Sequence, residues 1–371
     1  MLIHTVKKGD SLYSIGREYG VTIEQLIAAN GDSVTPTLII GQAVVVPTPT
    51  EKLGEILVNG YAYPFIEKET LYKTLPSLSL ITPFSYGVKS DGTLVNLDDS
   101  ELISAALSAD VKPILLITTL GENGLFSSET ASRVLGDLTL RKTLIDGIAQ
   151  KLKSADYFGV DIDFEYIPPE YRGEYVDFIR ALKREVGDDY KVLVALAPKT
   201  SSAQRGLLYE AHDYEELGKY ADYVLVMTYE WGYTYSPPMA VAPLDKVRQV
   251  LEYAVSVIPN EKILMGIPNY GYDWTLPFVK GTPARSLSLN AAITLAREKG
   301  AEIMFDDISQ SPYYNYYEGN VLHTVWFEDA RSIYKKLELL NSLSLSGISI
   351  WNVMNYFRPL YSVIALNFNV K

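Results

Sequence analysis

Cysteine is absent from this 371-residue chain, and histidine occurs only three times, at His4, His212 and His323. Without thiols there are no disulfides, no thiolate metal sites and no Cys nucleophile, while the compartment stays open. The three histidines are isolated in sequence and read as surface or internally satisfied residues. Positive charge is also in deficit: 33 Lys and Arg face 45 Asp and Glu, for a net charge of -12. That balance argues against nucleic acid or an anionic membrane as the main partner, because phosphate binding needs clustered cations. No run approaches the ~20 apolar residues that span a bilayer, so no membrane insertion is expected. The longest greasy stretches, such as Ile114 to Ile117, have strand length. The opening residues Met1 to Lys8 contain no extended apolar segment, so no Sec-type signal peptide is expected.

What is present is a large core and many tyrosines. A hydrophobic content of 47% over this length fits a small module followed by one large domain. The 28 tyrosines exceed ordinary usage, and sugar-binding clefts use aromatic faces and phenol hydroxyls heavily. In the first 47 residues a short strand (Ile3 to Val6) is followed by a turn at Gly9-Asp10. Ser11 is placed to cap a helix to Tyr19, and Thr22 to cap a second helix to Ala29. Ala43 to Val46 reads as a returning strand. Pro47-Thr48-Pro49-Thr50 then forms a stiff linker and a natural boundary.

Beyond the linker, eight apolar strand-like runs alternate with amphipathic helical ones. The runs include Lys112 to Thr118, Gly159 to Glu165, Ile263 to Tyr270 and Gly347 to Trp351. This alternation predicts an α/β fold, a (β/α)8 TIM barrel. One connection, about residues 277–326, is too long for a simple crossover. It holds a helical stretch (Leu289 to Lys299) and a tyrosine-rich strand-like piece (Tyr313 to Tyr317), and predicts a small α+β insertion after the seventh strand. The tyrosine run is read as packing of that insertion.

The fourth strand carries the most informative pattern. In Gly159-Val160-Asp161-Ile162-Asp163-Phe164-Glu165 the acids stand at every second position, opposite Val160, Ile162 and Phe164. One face is apolar and the other is entirely acidic, with roughly 6.5 Å between successive acids. In the mouth of a barrel such carboxylates cannot all stay ionised, so at least one proton is shared. A protonated Glu165 at the top is the state a general acid needs. Read from the residues alone, a structural ion cluster or a cation site competes with this reading, although no His lies nearby in sequence to complete a metal site.

These segments resemble two known families. The first unit, with His4-Thr5-Val6-Lys7-Lys8-Gly9-Asp10-Ser11-Leu12 and later Ile40-Gly41-Gln42-Ala43-Val44-Val45-Val46-Pro47, is similar to a lysin motif (LysM) domain. The resemblance implies a β-α-α-β module at residues 1–48 that binds N-acetylglucosamine-containing glycans. Its groove would lie between the loop of Gly9, Asp10, Ser11 and Leu12 and the loop beginning at Asn30. A linker over 49–54 would lead to residues 55–371.

That larger part resembles glycoside hydrolase family 18, the chitinase-like barrels, through an Asp-x-x-Asp-x-Asp-x-Glu signature ending at Glu165. Met227-Thr228-Tyr229-Glu230, Gly266-Ile267-Pro268-Asn269-Tyr270-Gly271 and Gly347-Ile348-Ser349-Ile350-Trp351 support it. The segments Val58 to Pro64 and Trp326 to Ser332 most resemble LysM-bearing members of spore formers that degrade cortex fragments during germination.

The resemblance implies a retaining, substrate-assisted N-acetylglucosaminidase acting on peptidoglycan, with spore cortex as the expected polymer and no cofactor or metal. A chitinase, or an inactive glycan-binding spore protein, is the alternative. Glu165 would protonate the leaving oxygen, Asp163 would orient the substrate acetamide, Asp161 would support the pair, and Tyr229 would bond the acetamide oxygen. Trp351 would floor the cleft, with Glu230, Tyr270 and Tyr86 as further sugar contacts. The implied location is the spore coat or cortex, or the cell wall. Two positions depart from the family pattern: Phe158 replaces its first acid, and Glu230 stands where Asp is usual.

Overall fold

The computed structural model of the protein describes residues 2–121 and 124–371. Its first unit pairs β1 (Leu2–Thr5) antiparallel with β2 (Ala43–Val46) around the helices Leu12–Tyr19 and Ile23–Asn30. Both helices start on capping boxes, Ser11 with Ser14 and Thr22 with Gln25, which satisfy N–H groups that a first turn leaves open. Leu12, Ile15, Leu26 and Val44 fill the unit's small core.

β2 is buried on both faces. Val44 and Val46 point into the unit's own core, whereas Ala43 and Val45 join the core of the larger domain, as strand alternation dictates. The unit is seated on the helices Ala330–Ser342 and Arg358–Asn367. Arg358 Nε donates to Ala28 O at 2.8 Å, and the Ile303 N–H donates to Ile40 O at 2.9 Å. At Gly41 (φ 82°) a Cβ would stand 1.7 Å from Ile303 O, so only glycine fits this junction. The linker is anchored as well, with the Thr50 hydroxyl donating to Leu366 O at 2.8 Å.

The barrel strands follow in order: β3 (Gly54–Ala62), β4 (Leu80–Pro83), β5 (Lys112–Thr118), β6 (Gly159–Asp163), β7 (Lys191–Leu196), β8 (Tyr223–Val226) and β9 (Ile263–Pro268). An added sheet then comprises β10 (Tyr270–Leu276), β11 (Arg285–Ser288), β12 (Met304–Asp306), β13 (Ser311–Glu318) and β14 (Val321–Trp326), with the helix Leu289–Lys299 against it. The last barrel strand, β15 (Gly347–Trp351), pairs in parallel with both β9 and β3 and closes the ring. A short β16 (Phe368–Val370) pairs with the start of β3 outside that ring. The closed parallel barrel is the expected (β/α)8 architecture. The added sheet takes in Tyr270–Leu276, ahead of the expected start near residue 277, because β10 leaves β9 after a single residue. Within it Tyr314 and Tyr316 are buried and Tyr313 stacks on Trp326 at 4.5 Å, so the tyrosine run is mostly packing. Among the described residues no helix is long and apolar enough to cross a membrane.

In β6 the two faces divide as the period of two requires. Val160, Ile162 and then Phe164 turn outward, and Phe164 stacks on Tyr175 and Phe178 of the helix Arg172–Val186 at 6.0 and 5.6 Å. Asp161 and Asp163 turn inward. Phe158, just ahead of the strand, packs into the barrel floor beside Leu57, Leu80 and Ile114, with the Lys112 ammonium 4.7 Å from its ring centroid. The residue thus fills with apolar volume the place of the missing acid. Phe158→Asp is expected to cost about 2 kcal/mol in a denaturant melt, through lost packing and a desolvated charge, with no gain in turnover.

Candidate active site

The barrel mouth opens into a cavity of about 520 Å³ lined by Asp163, Glu165, Tyr229, Glu230 and Trp351 together with Phe84, Tyr209, Trp231 and Tyr233. Each of these side chains comes from the carboxyl end of a strand or the loop that follows, where barrel sites are built. Glu165 lies two residues past the end of β6, not within it.

Asp161 is fully buried and accepts a 2.5 Å hydrogen bond from Tyr61 Oη. Burial pushes its pKa up to about 6, against the stabilising pull of that phenol. Asp163 is raised well above the usual carboxylate range, first by burial, then by the charges of Glu165 and Asp161. Its Oδ1 and that of Asp161 are buried with no hydrogen-bond partner among the described residues. Glu165 sits above them, partly exposed to the cavity, with its pKa raised to about 7 by burial and then by Glu230. The stack therefore holds a proton near neutrality, and its upper two carboxyls, Asp163 and Glu165, line the cavity.

Glu230 has a left-handed backbone (φ 66°), unusual for a residue with a Cβ. Its Oε1 accepts hydrogen bonds from Tyr270 Oη and, at 3.1 Å, from Tyr272 Oη. Burial raises its pKa, while the two phenols pull it back. The carboxylate is thereby turned toward the added sheet and shared with a second recess of about 300 Å³, lined also by Asn269, Ser286, Asn352 and Trp351. Tyr229 is kept a neutral phenol, since burial and the nearby carboxylates push its pKa well up. Trp351 meets Tyr61 and Phe84 edge-on, with centroids 5.5 and 4.9 Å away, which fixes its face toward the cavity.

Six of the eight barrel residues singled out from sequence surround this cavity directly or support it from below. Tyr270 is displaced to the second recess and is tied to the first by its bond to Glu230. Tyr86 is a correction. It is 1% exposed, and its hydroxyl bonds to Asp99 at 3.0 Å and Tyr157 at 3.2 Å on the outer side of the barrel wall, so it cannot touch a sugar.

In the first unit Asn30 is likewise internal. Its side chain exchanges bonds with Val45 N–H and O and donates to Leu26 O, each at 2.8 Å, tying helix to strand. Leu12 belongs to the unit's core. Gly9, Asp10 and Ser11 stay at the surface, with Asp10 held by His4 Nε2 at 2.9 Å. Sequence reading missed Tyr61, Trp231 and Tyr233. Tyr61 was detectable, as it shares the inward parity of Asn59 on β3, whereas the loop aromatics carry no periodic signal.

Comparison with known proteins agrees with this layout. Residues 80–355 match the family model of glycosyl hydrolases family 18, and residues 4–47 match that of the LysM domain. A cortical fragment-lytic enzyme of Bacillus subtilis is 37% identical, with 100% of this chain and 99% of the relative covered. One from Bacillus anthracis is 36% identical, covering 99% and 98%. Among solved structures, the Bacillus cereus spore cortex-lytic enzyme SleL superposes with a TM-score of 0.93 at 33% identity, over 100% of this chain and 99% of the other.

Proposed function

Since the chain belongs to the glycosyl hydrolases of family 18, we propose that it is a retaining N-acetylglucosaminidase that degrades spore-cortex peptidoglycan by substrate-assisted catalysis. The supporting observation is the buried carboxyl stack, with the proton-holding Glu165 at the cavity and the anion-destabilised Asp163 directly beneath it.

In this reading Glu165 gives its proton to the glycosidic oxygen as the bond to the anomeric carbon breaks. The 2-acetamido carbonyl of the same sugar attacks that carbon and forms a cyclic oxazolinium ion. Asp163 accepts a hydrogen bond from the acetamide N–H and, with Asp161 and Tyr61 behind it, offsets the positive charge of that ring. Tyr229 donates its hydroxyl to the acetamide oxygen. Glu165, now ionised, takes a proton from the water that opens the ring, and the anomeric configuration is retained. Trp351 supplies the apolar floor for the reacting sugar. The LysM unit holds the same polymer through its N-acetylglucosamine residues, and the cortex is where the protein acts.

Release of reducing ends from cortex fragments and from chitin oligomers tests the polymer. Faster turnover of cortex fragments is expected, and a preference for chitin oligomers would replace the reading with a chitinase. Failure to cleave either would leave a glycan-binding protein. The pH profile tests the acid. With Glu165 needed in its protonated form and titrating at about 7, kcat/KM is expected to fall tenfold per pH unit above that value. A profile still flat at pH 9 would remove Glu165 from the role.

A further inference from the structure

The seam between β6 and β7 carries a side chain where a backbone hydrogen bond belongs. The strands run parallel, and Ile162 opposite Val194 is their last pair. Just ahead of the seam, the Lys191 N–H donates to Phe158 O at 3.2 Å. Stepping two residues along each strand places the next donors at Leu193, Ala195 and Ala197, and the acceptors at Val160, Ile162 and Phe164. The bond due after the ladder ends is therefore Ala197 N–H to Phe164 O.

That bond is not direct. The Ala197 N–H donates to His212 Nδ1 at 2.8 Å, and His212 Nε2 lies 2.9 Å from Phe164 O. Since Nδ1 accepts, the ring proton is on Nε2, which donates to the carbonyl, and the imidazole is neutral. The residue is only 1% exposed, and burial lowers its pKa to about 4, so it stays neutral at working pH. Lys199 Nζ holds the His212 carbonyl at 2.9 Å, and the Tyr175 ring packs 5.9 Å from the imidazole. The neighbouring seams are not split in this way. β5 and β6 pair as far as Thr118 opposite Asp163, and β7 and β8 as far as Leu196 opposite Val226. The imidazole bridge thus sits in the β6–β7 seam, immediately before Glu165.

We infer that His212 is a positioning residue for Glu165: its imidazole is a spacer, one ring wide, that holds the barrel mouth open between β6 and β7 and fixes the backbone from which Glu165 reaches the cavity. This rests on Glu165 being the acid of the proposed function. If the ring is removed, the Ala197 N–H and Phe164 O are free to close onto each other, since buried backbone groups seek partners. The seam zips by one bond, Glu165 is carried toward β7, and the proton no longer meets the glycosidic oxygen. Displacements near 1 Å cost chemistry far more than binding.

The test compares His212→Ala, which permits zipping, with His212→Asn, whose carboxamide offers an acceptor to Ala197 and a donor to Phe164. On a soluble oligomer, His212→Ala is expected to lose about 30-fold in kcat with KM within threefold, and His212→Asn to recover most of that loss. If the alanine variant does not fold, His212→Ser, also too short to hold the strands apart, takes its place in the comparison. A wild-type kcat in the alanine or serine variant, a loss confined to KM, or no recovery with asparagine would overturn the inference. Activity surviving in Glu165→Gln would instead overturn the acid assignment. An inactive Glu165→Gln enzyme beside a fully active His212→Ala enzyme would remove the positioning role alone.

Discussion

Glu165→Gln is expected to lower kcat on a cortex fragment by about 10³-fold while making the folded protein more stable above neutral pH. The two effects share one cause. The site holds Glu165 where its ionised form is disfavoured, by burial first and by Glu230 second, so its carboxyl titrates at about 7. A carboxyl whose folded pKa exceeds its unfolded one carries no penalty below the unfolded value. The penalty grows as pH rises through the folded value and then levels off. Between roughly pH 4 and 7 the native state thus loses up to about 3 kcal/mol from this group. Glutamine has the same shape and no charge to desolvate, so the variant should melt several degrees higher at pH 8 and about the same at pH 4. Thermal melts at the two pH values, run beside turnover, check both halves. A variant both inactive and less stable at pH 8 would point to misfolding, not to a missing proton. The kinetic loss should shrink on an aryl glycoside, whose leaving group departs without protonation.

Asp163→Asn is the second large effect, about 10²-fold in kcat with a smaller change in KM. Asp163 is buried at 7% exposure beneath Glu165, and one of its oxygens has no partner among the described residues, so it is a charge placed at a cost and waiting for a donor. In the proposed mechanism the substrate acetamide N–H is such a donor, and the cyclic cation that follows would make the carboxylate worth more in the transition state than in the ground state. Asparagine can still accept the hydrogen bond but cannot balance the ring charge, hence loss in kcat more than in KM. Burial and Glu230 set the Glu165 pKa, so the basic limb of the pH profile should stay near 7 in this variant. A limb that moves well below 7 would show that an ionised Asp163 holds the Glu165 proton in place.

The acid strand was legible because a two-residue period survives any tertiary context. The parity that set Asp161 and Asp163 apart from Val160 and Ile162 in sequence also decides which groups face the barrel and which face the helices. Tyr86 failed for the converse reason. It follows a short strand, Leu80–Pro83, and past a strand's end parity no longer says where a side chain points. Asn30 closes a helix and looked like the start of a binding loop, but three backbone bonds draw it inward. The bonds that Tyr270 and Tyr272 donate to Glu230 join residues some forty positions apart, and no local pattern carries such a pairing. His212 reads from sequence as a surface or satisfied core histidine and is the latter, yet the groups that satisfy it are the two backbone atoms flanking the β6–β7 seam.

A second strand buried on both faces turns the LysM unit from a trailing anchor into a fixed gauge. A module on a flexible tether raises the local concentration of substrate over a sphere set by tether length. Here Ala43, Val45 and the Gly41 junction have already surrendered that freedom during folding. The distance between the glycan surface of the unit and the barrel mouth is therefore a constant of the molecule. Strands long enough to bridge it meet the cavity in one orientation without a further entropic toll, and shorter ones gain nothing from the unit at all.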